Sequence, residues 1–341
     1  MTNGLSGPRK QFLDVLRVLA TCAVVLMHVL TGATDVTDAS IVPEYRSLLL
    51  SVMDLVTWCV PIFLLISGYL FLNPERTLTY PVMIKKYCRR IALAILLFGV
   101  PYAASELVVA ERTFRIRMIP EALKMTLMGH TWSHMWYLYL ILFLYLITPL
   151  LKKVLRVLPV WGVAAVMAVI FLGSSVAPFL NKVLDVNSIP VLPDGGVYFL
   201  YYLCGYFFAV REVCVDKGRN VWLTAAVAVL ALGMILSRTL AGFSIQMAYN
   251  YPFTVLLAVL LFAAGWNGSI KKHRIPWQEA GALSFAVYLV HPVYVNLLYK
   301  FVKITPFTVL EQCGVQSVAA GQAVLILLLA AFCLVVLAPV S

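Results

Sequence analysis

The sequence predicts an all-α protein, a polytopic bundle of about ten transmembrane helices with both termini in the cytoplasm. The 341 residues are 62% hydrophobic and only 12% charged, whereas soluble domains carry about 25% charged residues. Apolar runs of bilayer-spanning length, about 20 residues each, recur along the whole chain. In addition, 17 of the 26 Lys and Arg residues lie in, or at the span ends next to, the N-terminus and the loops that alternate counting puts on one side, as the positive-inside rule requires of the cytoplasmic side.

Composition also excludes several classes of protein. A soluble enzyme of this size cannot hide so much apolar surface in one core, and the chain is too hydrophobic to be disordered. The net charge of +11 follows from cytoplasmic loop cations, and no nucleic-acid partner is expected. The seven cysteines are odd in number, form no Cys-x-x-Cys motif and mostly lie in apolar runs, which predicts neither disulfides nor a metal site.

A helix-length window places the spans in order along one membrane domain, residues 1–341, because the chain shows no repeat or linker. The first run, from Phe12 to about Thr31, carries Arg17 and is predicted to be a retained span rather than a signal peptide. The loop after the third span carries four cations on the other side and is interpreted as a folded, re-entrant segment. The ten spans are 12–32, 47–72, 88–110, 134–152, 159–180, 196–213, 220–238, 250–267, 281–300 and 316–339.

The first span carries ionisable residues at depths where lipid disfavours them. Arg17 and His28 fall within about 20° of one helix face and about 16 Å apart along the axis. Asp14 lies one turn from Arg17 and can pair with it. Each residue alone also fits a structural role, as a paired interface arginine or an interhelical hydrogen bond. Together they favour a functional stripe, since a neutral histidine accepts protons near pH 7.

The second and third spans add two patterns at their ends. Pro61 can free a backbone carbonyl and Gly68, between Ser67 and Tyr69, permits close helix approach; helix packing alone also explains these residues. The third span opens with a basic cluster suited to the phosphates of a nucleotide-like donor, or else to anchoring on acidic lipid. Its members are Lys85, Lys86, Arg89 and Arg90.

The fourth and ninth spans contribute further histidines. His134 is followed by Trp136 and Tyr137, which fit either an interfacial aromatic belt or a sugar-holding outer mouth. His130 and His134 have no nearby Cys or carboxylate, so no metal is expected. In the ninth span His291 precedes Pro292, marking a kinked, polar spot that a structural histidine also explains.

In this order the motifs resemble the bacterial acyltransferase-3 family of integral membrane acyltransferases, above all its short members of the enterobacterial common antigen O-acetyltransferase type. The resemblance rests on the Arg17–His28 spacing, the Ser67–Tyr69 segment after Pro61, the basic cluster, and the motifs around His134 and His291. The resemblance covers spans one to four and span nine through these motifs. Spans five to eight resemble the family only in their hydropathy.

The resemblance implies an enzyme of the bacterial inner membrane that takes an acyl group, acetyl above all, from cytoplasmic acyl-CoA. The acceptor would be a hydroxyl of an extracytoplasmic or lipid-linked envelope glycan. His28 would be the essential histidine, while Arg17 and the basic cluster would bind the donor. The remaining matched positions would support the site or face the acceptor: Asp14, Ser67, Tyr69, His134, Trp136, Tyr137 and His291.

A transporter or exporter of a small solute or glycan precursor is the alternative function. Transporters of this size often contain an internal repeat and broken helices at the bilayer midplane. The sequence has no clear repeat, which favours the enzyme.

Overall fold

The structure is a computed structural model that describes residues 11–36, 43–210, 217–240, 248–267, 276–315 and 317–340. Within these ranges the chain is helical and has no strand, which confirms the all-α prediction. The α-helices are α1 (Gln11–Val36), α2 (Pro43–Val56), α3 (Cys59–Phe71), α4 (Tyr80–Val82), α5 (Arg89–Glu111), α6 (Met118–Leu127), α7 (Trp136–Val157), α8 (Val160–Phe171), α9 (Ala177–Val183), α10 (Gly196–Val210), α11 (Lys217–Leu240), α12 (Pro252–Asn267), α13 (Trp277–Asn296), α14 (Pro306–Gln312) and α15 (Val318–Leu337). Single π-helical turns cover Met83–Cys88, Leu172–Val176 and Leu297–Val302, and 3₁₀ turns cover Ser133–Met135 and Ala338–Val340.

Seven helical segments of the described chain are long and apolar enough to cross a membrane. They are Gln11–Thr34, Tyr45–Phe71, Tyr80–Glu111, Ser133–Val157, Val160–Val183, Trp277–Val302 and Val318–Leu337. Three shorter apolar helices, Gly196–Val210, Trp222–Met234 and Pro252–Trp266, fall where the sixth to eighth spans are predicted. The chain is therefore a multi-pass membrane protein, while the count of ten spans stays a prediction.

The chain divides into two compact units. The larger unit contains Met1–Tyr69 and Met167–Ser341, and the smaller unit contains Leu70–Val166. A single domain over 1–341 stays a prediction, and the two units are described separately below.

The larger unit is organised by the packing of α1 against α13, which run parallel. A Cβ atom on Gly281 would lie 3.1 Å from Asp14, near the start of α1. Towards the end of α1, a Cβ on Gly32 would lie 3.1 Å from Val295. Because residue numbers increase together along both helices, the helices point the same way. Their far ends join a core of buried aliphatic and aromatic residues that includes α14 and α15.

The second predicted span is broken into two helices. α2 ends at Val56 and α3 begins at Cys59, with Pro61 in the first turn of α3. Proline has no N–H to donate to the carbonyl one turn earlier, so an uninterrupted α-helix is disfavoured there. The predicted effect of Pro61 on the backbone thus coincides with the break.

Gly68 allows α3 to approach α10 closely, as the sequence predicts. A Cβ atom on Gly68 would clash with the backbone carbonyl of Tyr202, and one on Gly205 would clash with the carbonyl of Leu65. Small residues at matching heights bring membrane helices into backbone contact. This contact fixes the height of α3 within the larger unit.

The smaller unit contains the loop after the third span, which is folded. Its helix α6 buries Met118, Ala122 and Thr126 on one face and packs against α5. A Cβ atom on Gly99 of α5 would lie 2.6 Å from the Thr126 side chain, so α6 lies close to α5. A re-entrant path of this segment through the membrane stays a prediction.

Candidate functional site

The start of the α1 stripe is an ion pair. Arg17 Nη1 lies 2.8 Å from Asp14 Oδ1, as the spacing of one turn predicts. The Asp14 side chain is 2% exposed and that of Arg17 is 25% exposed. A buried carboxylate is stable only when paired and hydrogen-bonded, so Asp14 holds the guanidinium at this end of α1.

Further along the same face, His28 contacts His291 of α13. The two imidazole rings pack edge to face with their centroids 4.8 Å apart, and His291 is fully buried. The sequence gives each histidine a place in a different span but does not predict that they meet. The structure brings them together because α1 and α13 run parallel.

Both histidine rings are held by the same kind of hydrogen bond. Nδ1 of His28 lies 2.9 Å from the Val24 carbonyl, and Nδ1 of His291 lies 2.9 Å from the Val287 carbonyl. A carbonyl oxygen only accepts, so in both bonds Nδ1 carries the proton and donates it. In a neutral imidazole the other nitrogen, Nε2, is then the basic one. The pair therefore presents two basic Nε2 atoms.

A small cavity, with room for about one water molecule, lies against His291 and the part of α1 between Arg17 and His28. α1, α3 and α13 all contribute to its wall. The lining residues are Thr21, Val24, Val25, Phe63, Val287, Tyr288 and His291. It occupies the stretch of α1 between Arg17 and His28, and its wall is mostly apolar.

Ser67 and Tyr69 lie at the opposite end of α1 from His28. The Tyr69 ring centroid is 5.9 Å from that of Phe12, in the first turn of α1, and 5.9 Å from that of Phe262. Both Ser67 and Tyr69 are buried. Their position is therefore on the side of Asp14 and Arg17.

In the smaller unit, the basic cluster stands on the π-helical turn Met83–Cys88 and the first residues of α5. The side chains of all four members, Lys85, Lys86, Arg89 and Arg90, are exposed. Tyr87 points inward instead, with its ring 4.8 Å from Phe71, and Phe71 lies 4.7 Å from Tyr145 of α7. This aromatic packing anchors the turn from which the cations project.

Two further cations of the smaller unit were not identified as site residues from the sequence. Lys152 is 5% exposed and donates through Nζ to the Asn73 carbonyl. Arg76 donates through Nη1 to the Leu70 carbonyl over 2.7 Å and lies 6.0 Å above the Phe71 ring. In the sequence, Lys152 and Arg76 stand out only as two of the basic residues that the distribution of Lys and Arg places on the cytoplasmic side.

His134 lies far from the basic cluster within the smaller unit. It is buried and its ring is 5.6 Å from that of Tyr102, in the second half of α5. Tyr102 in turn stacks on Trp132 with the ring centroids 4.2 Å apart. Trp136 and Tyr137 begin α7 beside His134 and pack edge to face.

The predicted site residues thus form separate groups. The larger unit holds Asp14, Arg17, Ser67 and Tyr69 at one end of α1 and His28 with His291 towards the other. The smaller unit holds the basic cluster at the start of α5 and His134, Trp136 and Tyr137 near its second half. Arg17 and the basic cluster belong to different units, so a joint site for them stays a prediction. Among the described residues, no three His, Cys, Asp or Glu side chains form a group able to hold a metal ion.

Comparison with known proteins assigns this arrangement to a family. A family model described as an acyltransferase domain, acyltransferase-3, matches residues 10–341. The match includes every residue of the α1 stripe, the basic cluster and α13. No curated protein and no solved structure matches the chain.

Proposed function

The chain belongs to the acyltransferase-3 family and is a membrane acyltransferase, and from this premise we propose that it transfers an acetyl group from cytoplasmic acetyl-CoA to a glycan hydroxyl. The acceptor is an envelope glycan or lipid-linked saccharide on the far side of a bacterial inner membrane. The observation that carries this proposal is the stripe of α1, with a paired cation at one end and a histidine pair towards the other.

The donor end supports a nucleotide ligand. Arg17, held by the buried carboxylate of Asp14, offers donors suited to phosphate oxygens. In the smaller unit, the exposed cations Lys85, Lys86, Arg89 and Arg90 suit the same phosphate groups. About 16 Å of helix separates Arg17 from His28, a span that the extended pantetheine arm of CoA can bridge.

The histidine pair supports the chemistry of acyl transfer. His28 Nε2 is the basic nitrogen of the ring, because Nδ1–H donates to the Val24 carbonyl. It accepts the proton of the acceptor hydroxyl while that oxygen bonds to the thioester carbonyl carbon. The C–S bond then breaks, and the CoA thiolate leaves and takes the proton back. In a two-step route the same nitrogen would first carry the acetyl group, and labelled acetyl-enzyme in the absence of acceptor would reveal it.

The direct test uses purified protein in lipid nanodiscs with radiolabelled acetyl-CoA. We expect the wild-type protein to cleave the thioester and His28→Gln to do so at least about a hundredfold more slowly, the loss expected for a general base. His28→Gln keeps a polar group in the span but cannot accept the proton at neutral pH. Its affinity for CoA, measured by calorimetry, should be unchanged because Arg17 lies about 16 Å away, at the other end of α1.

His130→Gln is the matched control, since His130 is an exposed histidine of the smaller unit, and it should cleave acetyl-CoA at the wild-type rate. Near-wild-type activity of His28→Gln would make His28 structural. A wild-type protein that cleaves no acetyl-CoA would overturn acetyl-CoA as the donor.

A further inference from the structure

The residues that lead into α12 contact α1 at Met27, one residue before His28. The Tyr249 hydroxyl donates to Met27 Sδ over 3.6 Å, and Met27 immediately precedes His28. The carbonyl of the same residue accepts a hydrogen bond from Tyr201 of α10 over 2.6 Å. Tyr249 is therefore fixed at both its backbone and its hydroxyl, next to the reacting end of α1.

Polar groups lead from this tyrosine to the surface. The Tyr249 ring packs against that of Tyr198, with centroids 6.2 Å apart and the rings tilted by 55°. Beside them, the Asn250 amide donates to Asp194 Oδ1 over 3.2 Å. Asp194 is exposed, whereas Tyr198, Tyr249 and Asn250 are half-buried. The four residues form a path that begins at an exposed carboxylate and ends at Met27, the residue before His28, and we call it the tyrosine path.

Within the larger unit, the tyrosine path lies towards the opposite end of α1 from Arg17. Tyr249 contacts α1 at Met27, whereas the ion pair of Asp14 and Arg17 is more than two turns earlier in the same helix. A ligand on the tyrosine path would therefore approach the His28 end of α1 from the side away from Arg17. This is the approach that an acceptor needs when donor and acceptor lie on different sides of a membrane.

The chemistry of the path selects a class of acceptor. Tyrosine rings offer apolar faces and a polar tip, which match the C–H face and the hydroxyl rim of a sugar. A carboxylate and an amide side by side accept from and donate to neighbouring hydroxyls, while the carboxylate disfavours an anionic sugar. We propose that Asp194, Tyr198, Tyr249 and Asn250 bind a neutral hexose unit of the acceptor and direct one of its hydroxyls to His28. This inference rests on the proposed acetyl transfer.

The experiment measures acetyl transfer to soluble sugars. Wild-type protein in nanodiscs receives radiolabelled acetyl-CoA and, in turn, the methyl glycosides of glucose, galactose and N-acetylglucosamine. We expect acetyl esters on at least one glycoside. Asp194→Ala and Asn250→Ala should each raise the acceptor KM at least about tenfold, the loss expected for a hydrogen bond to a charged or polar partner. The KM for acetyl-CoA should not change, and Tyr249→Ala should raise the acceptor KM further.

Glu311→Ala is the matched control, because it removes an exposed carboxylate from α14, which follows the far end of α13; its acceptor KM should equal that of the wild type. Asp194 lies at the surface, so its variant keeps the test valid even where Tyr249→Ala fails to fold. An unchanged acceptor KM in both Asp194→Ala and Asn250→Ala would overturn the tyrosine path alone. Thioester cleavage without acetylation of any glycoside would exclude a neutral hexose, and no thioester cleavage at all would overturn both proposals.

Discussion

At the scale of single residues, the contact between His28 and His291 separates two roles that one imidazole can have. The Nδ1–H group of His291 donates a hydrogen bond to the Val287 carbonyl, one turn earlier, and this role is structural. The Nε2 atom of His291 stays basic and can take up a proton or share one with His28, and this role is chemical. A substitution that keeps only one of the two nitrogens distinguishes these roles.

We predict that His291→Asn loses at least about tenfold in turnover while it keeps wild-type CoA affinity and thermal stability. Asparagine places an N–H near the position of Nδ1 but no group near that of Nε2. His291→Gln, which places an amide near Nε2, should retain more activity than His291→Asn. Turnover numbers of both variants measured beside their melting temperatures check this. Full activity of His291→Asn would show that only the hydrogen bond to Val287 matters.

At the scale of helices, the contact between α3 and α10 sets the position of residues on both sides of the proposed site. α3 carries Phe63 in the cavity wall and Tyr69 against Phe12. The backbones touch at Gly68 and Gly205, where the obstacle to a side chain is a carbonyl that cannot rotate away. A single methyl group added at Gly68 or Gly205 would therefore push α3 and α10 apart.

We predict that Gly68→Ala destabilises the protein by about 2 kcal/mol or more, within the range for overpacking a core, and lowers its melting temperature in detergent. Gly233→Ala is the matched control, because a Cβ at Gly233 of α11 meets nothing within 4 Å. There, alanine should be neutral or slightly stabilising, since it favours the helix. Equal melting temperatures for Gly68→Ala and wild type would mean that α3 and α10 can separate freely.

The π-helical turn at the start of α5 presents the basic cluster on one exposed surface. We predict that Arg89→Ala combined with Arg90→Ala raises the Kd for CoA about tenfold at low salt, by loss of charge-assisted hydrogen bonds to phosphate. The difference from wild type should narrow as salt rises, because exposed charges are screened. Calorimetric titrations of both proteins with CoA at about 50 mM and about 500 mM salt, below and above physiological ionic strength, measure this difference in Kd.

The control for that pair replaces Arg115 and Arg117, which lie beyond the other end of α5 and pair with Glu111. Their double alanine variant should bind CoA as the wild type does. If the Arg89 and Arg90 variant also binds CoA normally, the basic cluster serves orientation or lipid anchoring and not the donor.

At the scale of the whole molecule, the parallel packing of α1 and α13 constrains how often the chain crosses the membrane. If only the seven long segments crossed, α13 would belong to the sixth span and would run antiparallel to the first. Since α1 and α13 point the same way, we expect one or all three of the shorter apolar helices to cross as well. Ten spans satisfy this condition.

We predict that the C-terminus lies in the cytoplasm, because an even number of spans returns the chain to the side of its N-terminus and the basic loops favour that side. A green fluorescent protein fused after Ser341 should fluoresce, and alkaline phosphatase at the same point should be inactive. An active phosphatase would require an odd number of spans or the opposite orientation. Fusions in the loop before α14 should show the reverse pattern.

Local sequence spacing predicted the parts of this architecture that depend on neighbours in the chain. The pairing of Asp14 with Arg17 follows from one helical turn, and the close approach at Gly68 follows from the absent side chain. The contact of His28 with His291 could not be predicted, because hydropathy locates spans but does not say which of them pack together. Tyr249 was missed for a related reason, since it lies in a short loop without a motif and acquires its place only through α1 and α10.

The joining of the first helix to one near the end of the chain has a consequence for biosynthesis. The Tyr299 hydroxyl bonds to the Val29 carbonyl, 270 residues earlier in the chain. At about 5–20 residues per second, roughly 14 to 54 s pass between the synthesis of Val29 and that of Tyr299. During that time the newly made α1 contains His28 without its contact to His291. If the pair is the reactive centre as proposed, the protein becomes active only after almost the whole chain has been synthesised.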